Sequence, residues 1–306
     1  MQRPLAGTLV VDFTRYLPGA FAGAELLRLG ARVVRVERPE GDPMRTTAPE
    51  WHDALNAGKE SVVWEDDLAR GLLAQADVVL ESFRPGVAAA LGVGPDDAPE
   101  RAVYCSITGF GTGGPHERRA GHDLNYAGWA GVLEPTAPSL PPVQAADLAA
   151  GALAAVTEIL AALMAGRGGR IVVSMTHNVH RLASRAPVLT KGYACYRMYE
   201  TADGRYLTVA ALEPKFFTRV CELLGRPDLA ERQYDPDQES LASDLATFFG
   251  RRSLEEWMDV FEREDACVGP VATFAEAEIE FGDASPPGRA AALGEHTAAL
   301  RRELGL

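Results

Sequence analysis

Short apolar runs alternate with amphipathic stretches through the first 175 residues or so, the pattern of a parallel sheet buried on both faces. Thr8–Phe13 (TLVVDF), Ala31–Glu37 (ARVVRVE), Ser61–Trp64, Ala76–Glu81 (ADVVLE), Arg101–Ile107 (RAVYCSI) and Gly168–Ser174 (GGRIVVS) read as strands. Phe21–Leu29 and Leu68–Gln75 read as helices between them, the first ending at Gly30 as a C′ residue. Strand, helix and strand in that order make a right-handed βαβ unit. After Pro187 the pattern changes. Cys195–Glu200 and Tyr206–Ala211 flank the turn Ala202-Asp203-Gly204 and predict a hairpin. Helices are expected from Glu213-Pro214 through Leu224 and after the capping box Ser253–Glu256. The predicted fold is α/β: a doubly wound, mostly parallel, Rossmann-like sheet over residues 1–190 and a smaller α+β domain over 191–268. The remaining segment, 269–306, carries a Pro/Gly-rich loop and a short helix, His296–Leu304, and is expected to return to the large domain.

Composition narrows the function classes. A net charge of −13 argues against a non-specific nucleic-acid binder, so an anionic ligand would need a local basic patch. Hydrophobic residues make up 47% of 306, enough for a core in about two domains. Cys105, Cys195, Cys221 and Cys267 are scattered with no C-x-x-C pair, which argues against a zinc site or disulfide framework and fits a reducing cytosol. The first residues, MQRPLAGTLVV, lack the apolar core of a signal peptide, and Thr157 and Glu158 interrupt the apolar stretch Leu148–Met164. A cytoplasmic chain with no membrane partner is expected.

Candidate chemistry centres on Gly121–Met164, where His122 opens one helix-like segment and Asp147 stands at the N-cap of a long Ala- and Leu-rich one. Each residue alone reads as a helix-start residue; together they point to proton transfer. A helix N-terminus would keep the Asp147 carboxylate ionised and offer backbone N–H groups to a developing oxyanion. Arg38, Lys59 and Arg84 read as basic residues at successive strand ends, where open α/β sheets bind ligands, and so as an anion site. Glu37, at the end of the second strand, would suit the ribose of a dinucleotide, but TRYLPGAFAG lacks the G-x-G-x-x-G turn, leaving a solvated strand end as the other reading. The four glycines of Gly109–Gly114 precede no Gly-Lys-Ser/Thr and read as a flexible loop rather than a phosphate cradle. His177 and His180 have metal-compatible spacing but no acid or thiol nearby, so no metal is expected and an exposed helix face is.

The chain resembles the type III CoA-transferase family, and within it most the α-methylacyl-CoA racemases. The resemblance runs through GARVVRVERP, the element Asn56, Gly58, Lys59, Ser61 and Val62, then ESFRPGV, YCSITGFGTGGP, GHDLNY and the aspartate of AADLAAG. It continues through YRMYETADGRYLTVAALEPKFF, DACVGPVATFAEA and GEHTAALRRELG. GHDLNY and TADGRY-to-ALEP are the most specific, since the formyl-CoA transferases resemble the first half but carry a glycine loop where this chain has ALEP.

The resemblance implies an acyl-CoA racemase or epimerase that inverts the α-carbon of a 2-methylacyl-CoA or similar thioester through an enolate. It implies His122 and Asp147 as the acid/base pair, with Glu213 orienting His122. Arg38, Val63, Trp64, Glu65, Asp66 and Arg84 match CoA-contacting positions, as do Gly121, Asp123, Leu124, Asn125 and Tyr126 beside His122. Coenzyme A would be part of the substrate, with neither NAD nor a metal required, and two chains would interlock as a homodimer. The alternatives are a type III CoA transferase using Asp147 as nucleophile through an aspartyl-CoA thioester, and a non-catalytic acyl-CoA-binding homologue. Compared with the racemases, Thr176–Cys195, the loop between His122 and Asp147, and the segment after Phe274 are short.

Overall fold

The computed structural model describes residues 3–183, 185–282 and 288–306. They fall into two compact units, one of residues 1–183 and 285–306, the other of 184–284.

In the first unit six parallel strands run in the order β3-β2-β1-β4-β5-β6. They are β1 (Leu9–Asp12), β2 (Arg32–Glu37), β3 (Glu60–Val63), β4 (Val78–Glu81), β5 (Val103–Thr108) and β6 (Gly169–Ser174). The order reverses between β1 and β4, so this is the doubly wound sheet that the apolar runs predict. Consecutive residues serve opposite faces. Val10, Val33, Val78 and Cys105 pack with Leu26, Val156 and Ile159 on one side, while Val11, Val34, Val79 and Tyr104 pack with Leu68, Leu72 and Leu300 on the other. Two full layers of helix over one sheet explain why the strands read as continuous hydrophobic runs.

The first helix is longer than predicted, Leu17–Arg28, because Pro18 sits in its first turn, where a missing N–H costs nothing. The C-terminal segment serves β3, the edge strand. The His296 N–H donates to the Ser61 carbonyl at 2.9 Å, and Thr297 Oγ1 accepts the Val63 N–H at 3.0 Å. These bonds satisfy edge groups that would otherwise face solvent.

The helical run Ala146–Met164 has a mean hydropathy of 1.7 and, by length and composition, reaches the range of a membrane-crossing helix, contrary to the expectation that Thr157 and Glu158 rule this out. Its residues Ala150, Ala152, Ala155 and Ile159 are buried in the core described above, the setting of a core helix.

The second unit carries an antiparallel sheet of β7 (Tyr196–Glu200), β8 (Tyr206–Ala210) and β9 (Val268–Pro270). Tyr199 pairs with Leu207 across the hairpin. Phe217, Leu241, Phe249 and Trp257 form its core, and the Ser253/Glu256 capping box opens the helix Leu254–Phe261. The expected boundaries shift: this unit begins at 184 rather than 191 and extends past 268, because Val268 and Pro270 pair with Val209 and Leu207 as a third strand. Residues 283–287 of the predicted Pro/Gly-rich loop lie outside the described residues.

Candidate active site

A cavity of about 650 Å³ opens in the first unit at the carboxyl ends of the strands. It is lined by Arg15 and Tyr16 after β1, Arg38 after β2, Ser82–Pro85 after β4, and Thr108 and Gly109 after β5. That is the crevice at a topological switch point where doubly wound folds bind ligands. His122, Asn125, Tyr126, Asp147 and Met175 complete its wall.

His122 is the exposed N-cap residue of the helix Asp123–Trp129, and its N–H donates to Asn125 Oδ1 at 3.1 Å. Asp147 is buried, and it is not an N-cap. The helix opens at Ala146 after Ala145, and Asp147 lies in the first turn of an eight-residue π-helical stretch, Ala146–Leu153. The stretch is rich in small residues, Ala146, Ala149, Ala150, Gly151 and Ala152, and such π-helical segments often mark functional sites.

The capping group comes from elsewhere. Asp123 Oδ1 accepts the N–H groups of both Ala146, at 2.7 Å, and Asp147, at 3.0 Å. The residue beside His122 therefore fixes the backbone of Asp147, coupling the two helix starts. This overturns the expectation that those N–H groups stand free for an oxyanion, and Asp123 itself is buried and outside the cavity lining.

Asp147 is pushed up to about 7, first by burial and then by the nearby Asp123 charge. Replacing Asp123 with asparagine removes that charge while keeping an amide oxygen to accept the N–H bonds. The pH profile of any step using Asp147 then moves to lower pH, and the loss of stability as pH rises towards 7 becomes smaller, because the like charge is gone while the N–H bonds keep an acceptor. A pH–rate profile of kcat/KM checks the first effect and melting curves at several pH values the second.

Tyr126 forms the floor. Its hydroxyl donates to the Gly121 carbonyl, and burial, followed by the Asp147 charge, pushes it up to about 12. The expected flexible glycine loop after β5 has a packing function here. A Cβ on Gly109 would lie 2.4 Å from the Tyr126 ring, and one on Gly121 would lie 2.7 Å from it. Gly109→Ala should therefore displace Tyr126 and destabilise the unit by roughly 1–3 kcal/mol in chemical denaturation.

Four arginines, Arg15, Arg38, Arg84 and Arg119, face this cavity in a chain of net charge −13. Arg15, Arg38 and Arg84 follow β1, β2 and β4, three adjacent strands. Arg15 was not singled out by the sequence, because it follows its strand inside a loop with no motif of its own. Its Nε is buried without a hydrogen-bond partner, and among the described residues no carboxylate pairs with it.

Lys59 does not belong to that set. It precedes β3, at the amino end of the sheet, and is fully buried with Nζ donating to Ala20 O at 2.6 Å and Asn56 Oδ1 at 2.9 Å. Burial lowers it to about 7. Val63, Trp64, Glu65 and Asp66 also lie outside the cavity lining. Val63 and Glu65 engage Thr297 and Arg301 of the C-terminal helix, Trp64 packs against Phe13 and donates to Asp66, and Leu124 is exposed and outside the lining. Glu37 is neither solvated nor free for a ribose. Burial pushes it up, but the fork of Arg45, the charge of Arg35 and a bond from Ser61 bring it down to about 2. His177 and His180 lie on an exposed helix face and turn to different partners, Ser174 Oγ and the Ala130 carbonyl. Glu213 is the exposed N-cap residue of Pro214–Leu223 in the second unit.

The family model for CoA-transferase family III matches residues 5–281. The chain belongs to CoA-transferase family III. It is 33% identical to the α-methylacyl-CoA racemase of Mus musculus over 89% of this chain and 79% of that protein. It is also 30% identical to the succinyl-CoA:glutarate CoA-transferase of Homo sapiens, over 90% of this chain and 74% of that one. A CAIB/BAIF family protein from Brucella suis has a crystal structure similar at a TM-score of 0.82 and 27% identity, covering 99% of this chain and 100% of that one. The family thus includes racemases and CoA transferases at comparable distances, and the fold is that of an acyl-CoA enzyme family.

Proposed function

We propose that the protein is an acyl-CoA racemase or epimerase that inverts the α-carbon of a 2-methylacyl-CoA or similar thioester by proton transfer. The observation that carries this reading is the pairing of His122 with Asp147 on one cavity, with Asp147 poised near 7. A general acid/base works best when its proton affinity matches the operating pH, and inversion needs one group to remove a proton while another delivers one. His122 and Asp147 come from different helix starts and exchange these roles with the direction of reaction.

In this reading Arg38 and Arg84 hold the coenzyme A phosphates. Arg15, whose guanidinium lies 5.6 Å from the Tyr16 ring centre, brings uncompensated positive charge to the His122 side, where the enolate develops. Coenzyme A enters as part of the substrate. Glu213 is assigned the orienting of His122, on the strength of the ALEP element shared with the racemase branch.

The competing transferase reaction would pass through an acyl anhydride and then a CoA thioester on Asp147. Intact-protein mass spectrometry after incubation with a 2-methylacyl-CoA and an added carboxylate separates the two. The racemase reading expects an unmodified protein and inverted substrate. A CoA adduct on Asp147, with CoA transferred to the added acid, would establish the transferase instead.

A further inference from the structure

Tyr16 combines two features that the reaction proposed above leaves unexplained. Its backbone lies at φ 64 and ψ −163. That region is populated almost entirely by glycine, since a Cβ crowds the adjoining peptide there, and such strain persists only where the surroundings enforce it. Its ring also lines the cavity and meets His122 edge to face, with centroids 5.6 Å apart and planes at 84°.

The enforcement can be traced. The Tyr16 N–H donates to Asp42 Oδ2 at 3.1 Å. Asp42 is buried; its Oδ2 also accepts Arg35 Nη2 at 2.9 Å, and its Oδ1 accepts the Met44 N–H at 2.9 Å. Arg35 is itself buried, with Asp12 and Glu37 within ion-pair distance and His52 Nε2 at 3.1 Å. The anchor for Tyr16 is thus a rigid ionic cluster beneath the sheet ends, not a surface contact. Tyr16 itself is 40% exposed, so its ring contributes little to the core.

We infer that Tyr16 is a positioning residue for His122. Asp42 holds it in a glycine-like conformation so that the ring edge fixes the plane of the imidazole in the cavity. A residue whose strain is stored for this purpose should show a characteristic split when the strain is released. The inference rests on His122 being an acid/base group, so its test needs a readout that does not depend on turnover.

The experiment compares Tyr16→Gly and Tyr16→Phe with the wild-type full chain. Three quantities are measured: the thermal midpoint, turnover and KM for a 2-methylacyl-CoA, and the imidazole ¹H–¹³C resonances of His122. Tyr16→Gly should melt at or above the wild-type temperature, yet lose roughly 10- to 100-fold in kcat with KM changed less than about threefold. Its His122 resonances should shift as the ring current of Tyr16 disappears and, because the imidazole is no longer held in one plane, should broaden or double. Tyr16→Phe should restore most of the rate and the wild-type His122 resonances. Unchanged kcat, or His122 signals that stay single and sharp in Tyr16→Gly, would overturn the inference, as would a Tyr16→Phe as impaired as Tyr16→Gly. If the wild type turns over no acyl-CoA, the functional reading fails, and the His122 line shape alone decides the positioning role: one sharp set of imidazole signals in the wild type and in Tyr16→Phe, against broadened or doubled signals in Tyr16→Gly.

Discussion

Asp147→Asn is expected to lower inversion of a 2-methylacyl-CoA by roughly 10²–10⁴-fold while making the protein more stable at pH 8. Both effects have one cause. A carboxyl raised to about 7 by burial and by Asp123 is a good proton shuttle and a costly buried anion. The sign follows from the shift. The folded chain holds the Asp147 proton more tightly than the unfolded chain, whose carboxyl titrates near 3.8. Stability therefore falls as pH rises from about 4 to about 7, by an amount on the order of a few kcal/mol, and the penalty is complete above 7. An asparagine carries no such penalty, so the stability gained by the variant should grow over that window and level off above it. Melting curves at pH 4.5, 6 and 8, alongside turnover, test the pair of effects. A variant equally stable at every pH would mean that Asp147 is not held as a buried acid.

His122→Gln is the second large effect. Inversion needs both groups in both directions, one as base and one as acid, so removing either should abolish interconversion of the two enantiomers, again by roughly 10²–10⁴-fold. Loss of the α-proton itself is a one-residue event. The variant should retain exchange, at most, for the enantiomer whose proton faces Asp147. A transferase that uses only the Asp147 carboxylate would keep its rate in this variant, which makes His122→Gln the most discriminating single substitution. Chiral chromatography of the acyl group from each pure enantiomer reads the result.

Much of the first unit was legible because its strands are short, β-branched and buried on both faces, leaving a periodicity that few other structures produce. LVVD, RVVRVE and VVLE gave their strands to within two residues. The cavity was legible only in part. Arg38 and Arg84 lie just past the carboxyl ends of their strands and line it, whereas Lys59 precedes its strand and reaches the Ala20 carbonyl of the first helix. The order of β3 and its neighbours, and which end of each strand a residue occupies, are properties of the assembled sheet.

Asp147 shows a similar limit. An aspartate before LAAGALAAV has the local signature of an N-cap, and only the long-range bond from Asp123, 24 residues earlier, reveals that the cap is supplied by another helix. Arg15 and Tyr16 carry no local signal beyond an unremarkable loop. The conformation of Tyr16 is imposed by Asp42, 26 residues away, through a buried cluster that no periodicity encodes.

The measurement that bears most directly on the central claim is deuterium uptake at the α-carbon. A single enantiomer of a 2-methylacyl-CoA is incubated with the protein in D₂O, and the recovered acyl group is analysed by mass spectrometry and chiral chromatography. Removal of the α-proton by one of His122 and Asp147 and delivery of a deuteron by the other predict inverted product carrying one deuterium at the α-carbon, and no uptake when both residues are replaced. Transfer of CoA to an added carboxylate, with configuration and α-proton untouched, would contradict it.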